Sequence, residues 1–172
     1  MELGQPLKST AAGDARGPDF SDRYLWYVVG ILTLASTLSF IDRQILNLMI
    51  GPIKRDLGGL SDFEVSLIMG LAFAAFYNFM SYPAGRLADR GNRRNLMAAG
   101  VATWSVMTAL CGLTQTYLSL FLTRMGVGVG EATLGPAANS ALSDYFPRDK
   151  LPLAIGVVSA SPFIGQGLAN II

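Results

Sequence analysis

Four ionisable residues stand inside apolar stretches. Asp42 and Arg43 fall near the middle of the first long apolar run, in Leu38-Ser39-Phe40-Ile41-Asp42-Arg43-Gln44-Ile45-Leu46, and Arg124 and Glu131 fall in Arg124-Met125-Gly126-Val127-Gly128-Val129-Gly130-Glu131-Ala132. A charge at the centre of a bilayer costs roughly 2.5–3.5 kcal/mol on insertion scales. A chain keeps such residues for an ion path, a proton relay or a substrate site. Arg124 and Glu131 are seven positions apart, so two helical turns bring them to one face. The two acids balance the two arginines, and mutual pairing or a wet cavity can offset much of a cost on the order of 10 kcal/mol. A balanced cluster can take up a proton or an anionic head group with a modest change in energy. Burial raises a carboxylate's affinity for a proton and a nearby guanidinium lowers it, so an arginine that moves between two states would switch proton binding. A structural alternative stays open, in which the charges pair only to lock two helices together.

The elements that must position these residues are membrane helices. Of 172 residues, 51% are hydrophobic and 15% charged, against about 25% charged in a soluble domain, and mean hydropathy is +0.41. The charges cluster between apolar runs of near-spanning length. Runs of this length show no alternation of period two, which favours helices over barrel strands. Glycine (19) and proline (8) are tolerated better in membrane helices than in soluble ones. A net charge of +1 without a basic stripe excludes a nucleic-acid binder. Histidine is absent and Cys111 stands alone, so no metal site, cofactor or enzymatic centre is expected. The lack of G-x-x-x-x-G-K-[ST] leaves ATP-driven pumping unsupported.

Residues 1–23 are polar, carry Gly4, Pro6, Gly13, Gly17 and Pro18, and read as a disordered tail without a cleavable signal. Five apolar segments follow, at about 24–50, 65–82, 96–113, 117–142 and 152–172. Ser61-Asp62-Phe63-Glu64 is a capping box before the second, and Pro152 suits the first turn of the fifth. Gly156, Pro162, Gly165 and Gly167 interrupt that last segment, with a proline kink expected. Lys8, Arg16, Arg23, Arg86, Arg90, Arg93, Arg94, Arg148 and Lys150 fall on one side and only Lys54 and Arg55 on the other, which places the N-terminus in the cytoplasm. Tyr24, Trp26, Tyr27, Tyr145 and Phe146 would form an aromatic belt there, and Tyr117 could do so on the far face. Phe73, Phe76, Tyr77, Phe79 and Tyr82 form an aromatic stripe expected to face lipid or a neighbouring helix, with a lining for a lipid-tail cavity as the alternative. Gly126 and Gly130 form Gly-x-x-x-Gly, which lets a second helix backbone approach closely. The fifth segment ends at Ile172 without a polar flank, so a truncated part of something larger, inactive by itself, is expected.

Gly85-Arg86-Leu87-Ala88-Asp89-Arg90-Gly91-Asn92-Arg93-Arg94 resembles the G-x-L-a-D-R/K-x-G-R/K-R/K signature of the major facilitator superfamily, where it forms a short cytoplasmic loop after the second helix. Asn92 stands at the family's second glycine; Asn best replaces Gly at positive φ, so a left-handed residue is expected there. Phe40-Ile41-Asp42-Arg43-Gln44, Gly51-Pro52-Ile53-Lys54-Arg55-Asp56-Leu57, Gly128-Val129-Gly130-Glu131-Ala132 and Asp144-Tyr145-Phe146-Pro147-Arg148 resemble the superfamily's spinster-like branch. Ser161-Pro162-Phe163-Ile164-Gly165-Gln166 matches the antiporter pattern G-P-x-x-G-G only in part, with two glycines missing.

The resemblance implies an all-α, multi-pass bundle. Residues 24–172 would supply about five of the six helices in the N-terminal half of a carrier whose sites lie near the midplane. It implies a secondary, proton-linked transporter of lipid such as lysophospholipid or sphingosine phosphate, in the inner membrane if the protein is bacterial. Its partners would be an amphipathic substrate, protons, membrane lipids and the missing C-terminal half. By that resemblance Asp42 and Glu131 are proton-site candidates, and Arg43 and Arg124 their counter-charges or head-group contacts. Gly85, Asp89, Arg90, Arg93, Arg94 and Asp144 would hold a cytoplasmic gate, with Arg93 as the preferred partner of Asp144. Export of drugs or small organic anions, and a non-transporting assembly subunit, are the alternatives.

Overall fold

A computed structural model describes residues 21–171; the tail expected to be disordered lies mostly outside the described residues. Helix α1 covers Asp22–Leu48, and α2, Ile50–Asp56, follows directly. Gly58 and Gly59 then turn the chain with φ of 86° and 81°, a region that glycine alone enters freely. Helix α3, Asp62–Ser66, starts at the expected capping box: Ser61 Oγ accepts from the Glu64 N–H, and the Glu64 carboxylate accepts from the Ser61 N–H. It passes through a π-helical turn, Leu67–Ala72, into α4, Phe73–Arg90. Helix α5 is Arg93–Cys111, α6 Tyr117–Glu131, α7 Leu134–Tyr145, α8 Leu151–Ser159 and α9 Ser161–Ala169. No strand occurs among the described residues.

Two of the expected spans are broken helices. The run 117–142 splits between α6 and α7, three residues before Pro136. A proline at that position has no N–H for the carbonyl of Ala132, and its ring crowds that carbonyl. Thr133 satisfies part of the break by donating its hydroxyl to the Gly130 carbonyl at 2.9 Å. The last span breaks at Ala160 for the same reason. Pro162 cannot serve the Val158 carbonyl, which accepts instead from Ser161 Oγ at 2.6 Å. The expected kink is thus a discrete break.

Asp22–Leu48, Asp62–Arg90 and Leu151–Ala169 are long and apolar enough, by length and composition alone, to cross a membrane. The remaining two spans are α5 and the α6–α7 pair, whose two pieces are each shorter than a bilayer requires. Helix α6 is central, packing on α5 and α4, while α1 packs along α8 and α9. Leu25, Val29, Leu32, Trp104, Leu134, Ala138, Leu142, Phe146 and Ala154 build one core between α1, α5, α7 and α8. Leu34, Leu38, Phe79, Leu118 and Phe163 project outward, the inside-out pattern that lipid solvates. Phe146 departs from the expected belt: it is buried, and Trp26 packs edge-on against it at 5.9 Å between ring centroids.

Candidate functional site

Asp42 and Arg43 are neighbours on α1, so their side chains leave the helix about 100° apart. Arg43 turns toward α4 and α6. Its Nε donates to Glu131 Oε2 at 2.9 Å, its Nη2 forms an ion pair with the same oxygen, and Nη2 also donates to Ser39 Oγ at 3.3 Å. The Glu131 side chain is 1% exposed. The Arg43 guanidinium carbon lies 4.9, 4.6 and 5.4 Å from the ring centroids of Phe40, Phe73 and Tyr77, each within the range of a cation–π attraction. Phe73 and Tyr77 are one turn apart and stack at 5.5 Å. They sit directly after the π-helical turn, a feature that shifts helical register and recurs at functional sites.

Arg124 reaches the same ring: its guanidinium carbon is 5.2 Å from the Phe73 centroid. It is buried, and among the described residues its Nε has no hydrogen-bond partner, nor has Glu131 Oε1. Asp42 turns the other way, toward α5, and accepts from Trp104 Nε1 at 3.0 Å and Thr108 Oγ1 at 3.4 Å. Asp42 and Arg124 both line a cavity of about 290 Å³ that also takes in Asp56, Thr108 and Cys111. Among the described residues, the four charges therefore lie in one region but form one ion pair with each other, not two. The expectation of mutual pairing did not anticipate the neutral donors of Trp104 and Thr108, or the aromatic contacts of Phe73 and Tyr77. The signal was present as two i, i+4 pairs, each presenting its members on one helix face. The aromatic stripe divides: Phe79 and Tyr82 are exposed as expected, whereas Phe73 and Tyr77 face the arginines.

Gly126 and Gly130 both face α5. A Cβ on Gly126 would fall 2.7 Å from Met107 Cγ, and one on Gly130 would fall 2.6 Å from the Trp104 backbone nitrogen and 2.8 Å from the Gly100 oxygen.

A second cluster lies where α4 and α7 end and α5 begins. Arg93 pairs through Nη1 with Asp144 Oδ2, and its Nε donates to the Ala88 carbonyl at 3.1 Å. Asp89 accepts from Ser140 Oγ at 3.5 Å. Arg86 stands over the Tyr82 ring at 4.6 Å. Arg90 closes the last turn of α4 and is exposed. Gly85 only touches Pro136, at an ordinary 3.9 Å for an added Cβ. Arg94 lines a separate cavity of about 730 Å³ between α1 and α5. Asn92 corrects one expectation. Its φ is −79°, and its side chain caps α5 by accepting from the Asn95 N–H, so Asn serves there as a cap rather than as a glycine substitute.

Residues 32–172 match the family model described as Major Facilitator Superfamily. The chain belongs to the Major Facilitator Superfamily. A relative named "MFS-type efflux pump" from Mycolicibacterium smegmatis is 35% identical over 98% of this chain and 40% of its own length. Protein spinster homolog 1 of Xenopus tropicalis is 31% identical over 88% of this chain and 29% of its own. A crystal structure of a bacterial homolog to the human lysosomal transporter spinster, inward-facing and unoccupied, superposes with a TM-score of 0.83 at 41% identity. That match covers 87% of this chain and 31% of the other. The chain thus spans about 30–40% of the length of these superfamily relatives, has the membrane fold of a superfamily transporter and is similar to the spinster-like proteins.

Proposed function

We propose that residues 24–172 are the N-terminal bundle of a proton-coupled secondary transporter of an amphipathic lipid, such as a lysophospholipid or sphingosine phosphate. The observation that carries this is the Arg43–Glu131 pair beside a buried Arg124 with an unpartnered Nε. A proton on Glu131 would remove the anion that holds Arg43. An anionic head group could then be shared by Arg43 and Arg124, which both lie against the Phe73 ring. Asp42, borne on the other face of α1, is a second proton site. Ile45, Leu46, Met49, Ile53, Leu57 and Leu120 line the cavity shared by Asp42 and Arg124 and suit an acyl chain, and the similarity to spinster-like proteins favours lipid. The protein would sit in a cell membrane, the inner one if it is bacterial, with its N-terminus in the cytoplasm. On that side Gly85, Asp89, Arg90, Arg93, Arg94 and Asp144 would hold a gate between alternating states.

The similarity to an efflux pump favours one other reading, export of drugs or small organic anions through the same charges. Alternating access takes two halves, so the test uses a carrier that contains both. In proteoliposomes, an imposed proton gradient should drive uptake of a labelled lysolipid, and Glu131→Gln should uncouple it. Gradient-driven movement of a drug or a sugar acid with no response to lysolipid would replace the lipid reading by the export one. Uptake indifferent to the gradient would remove proton coupling.

A further inference from the structure

We propose that Trp104 is the positioning residue for Asp42: its indole N–H, set in depth by the contact of Gly100 with Gly130, pins that carboxylate on the α5 side and leaves Arg43 to Glu131 alone. The consequence for coupling rests on the transport reading above. Asp42 is next to Arg43 in sequence, and Arg124 lines the same cavity. Without an anchor, Asp42 would compete with Glu131 for one guanidinium or fold onto the other. Trp104 is 4% exposed and carries one donor and no acceptor, so inside an apolar bundle its N–H needs the acid as much as the acid needs a donor. That N–H meets Asp42 Oδ2 at 3.0 Å, and Thr108, one turn along the same face, adds its hydroxyl at 3.4 Å.

The reach of the indole is set by backbone proximity. A Cβ on Gly130 would fall 2.6 Å from the Trp104 backbone nitrogen, and one on Gly100 would fall 2.8 Å from the Gly130 carbonyl oxygen. Only glycine lets α5 come this close to α6, and α5 carries Trp104 with it. The charged and titratable groups around Asp42 are Arg43 on α1, Asp56 on α2, Cys111 on α5, and Arg124 and Glu131 on α6. Among the described residues, the hydrogen bonds of the Asp42 carboxylate go to Trp104 and Thr108. One acid is thus held by a cation and the other by neutral donors, which makes them separately addressable.

Dicyclohexylcarbodiimide tests this, because it modifies membrane carboxyl groups and mass spectrometry reads each site. In membranes containing the full chain, Trp104→Phe keeps the ring and deletes the N–H. Asp42 should then be modified about tenfold faster at fixed pH, the value of one hydrogen bond to a charged group, with a smaller rise for Thr108→Val and no change at Glu131. An unchanged rate at Asp42 in Trp104→Phe overturns the proposal. If that variant does not fold, the indole 15N–1H resonance of Trp104 is compared between the native chain and Asp42→Asn, with Trp26→Phe removing the second tryptophan signal. A shift supports the proposal and a fixed resonance overturns it. Altered labelling in a carrier that moves no protons would remove the transport reading and leave this positioning intact.

Discussion

Arg43–Glu131 and Arg93–Asp144 are the same pair of chemical groups, with arginines of similar exposure (28% and 24%) and carboxylates in opposite surroundings. The first joins α1 to α6 with its carboxylate 1% exposed and three aromatic rings around its guanidinium. The second joins α5 to α7 at the helix ends, with its carboxylate 55% exposed. Solvent and salt reach the Asp144 carboxylate of the outer pair, so that pair can open and close at small cost. Nothing apolar can replace a partner of the inner pair, so it changes only when a proton or another ion takes part. The comparison separates a contact that can serve as a latch from one that can serve as a sensor.

The largest expected effect comes from breaking the inner pair. Glu131→Gln leaves Arg43 charged and without its counter-ion, which should lower stability by about 3–5 kcal/mol; thermal unfolding in detergent reads this directly. A loss under 1 kcal/mol would mean that the aromatic rings, not Glu131, hold Arg43. Phe73→Leu tests that next. It removes a ring shared by Arg43 and Arg124 at about 0.5–2 kcal/mol for each contact, and the same melting measurement should place it between the two pairs. The smallest effect belongs to the outer pair. Asp144→Asn should cost about 0.2–1 kcal/mol, and raising the salt should erase the difference. A cost that survives high salt would place Asp144 with the inner group and collapse the contrast.

The fold was legible because bilayer physics leaves a long apolar run few options. The capping box at Ser61 and the spans through α1, α4 and α5 follow from local pattern alone. The breaks were half legible. Pro162 signals a kink through the glycines around it, whereas Pro136 is hidden in a continuous run because apolar residues flank it on both sides. The four charges stood out because each is costly where it lies, but partner choice depends on helix rotation, which periodicity does not supply. Adjacency of Asp42 and Arg43 suggested one cluster; 100° between successive side chains sends them to different neighbours. Trp104 and Thr108 carry no such mark, because in sequence they look like ordinary residues of an apolar helix.

The π-helical turn at Leu67–Ala72 gives the aromatic face of α4 an origin in counting rather than chemistry. One extra residue in that turn offsets everything after it by about 100° relative to the capped start of the span. Phe73 and Tyr77 thereby look inward while Phe79 and Tyr82 look out. Trimming a single codon from this turn would re-aim the whole aromatic row without altering any side chain in it. Spacing along this span is therefore as much a part of the charge centre as the arginines themselves.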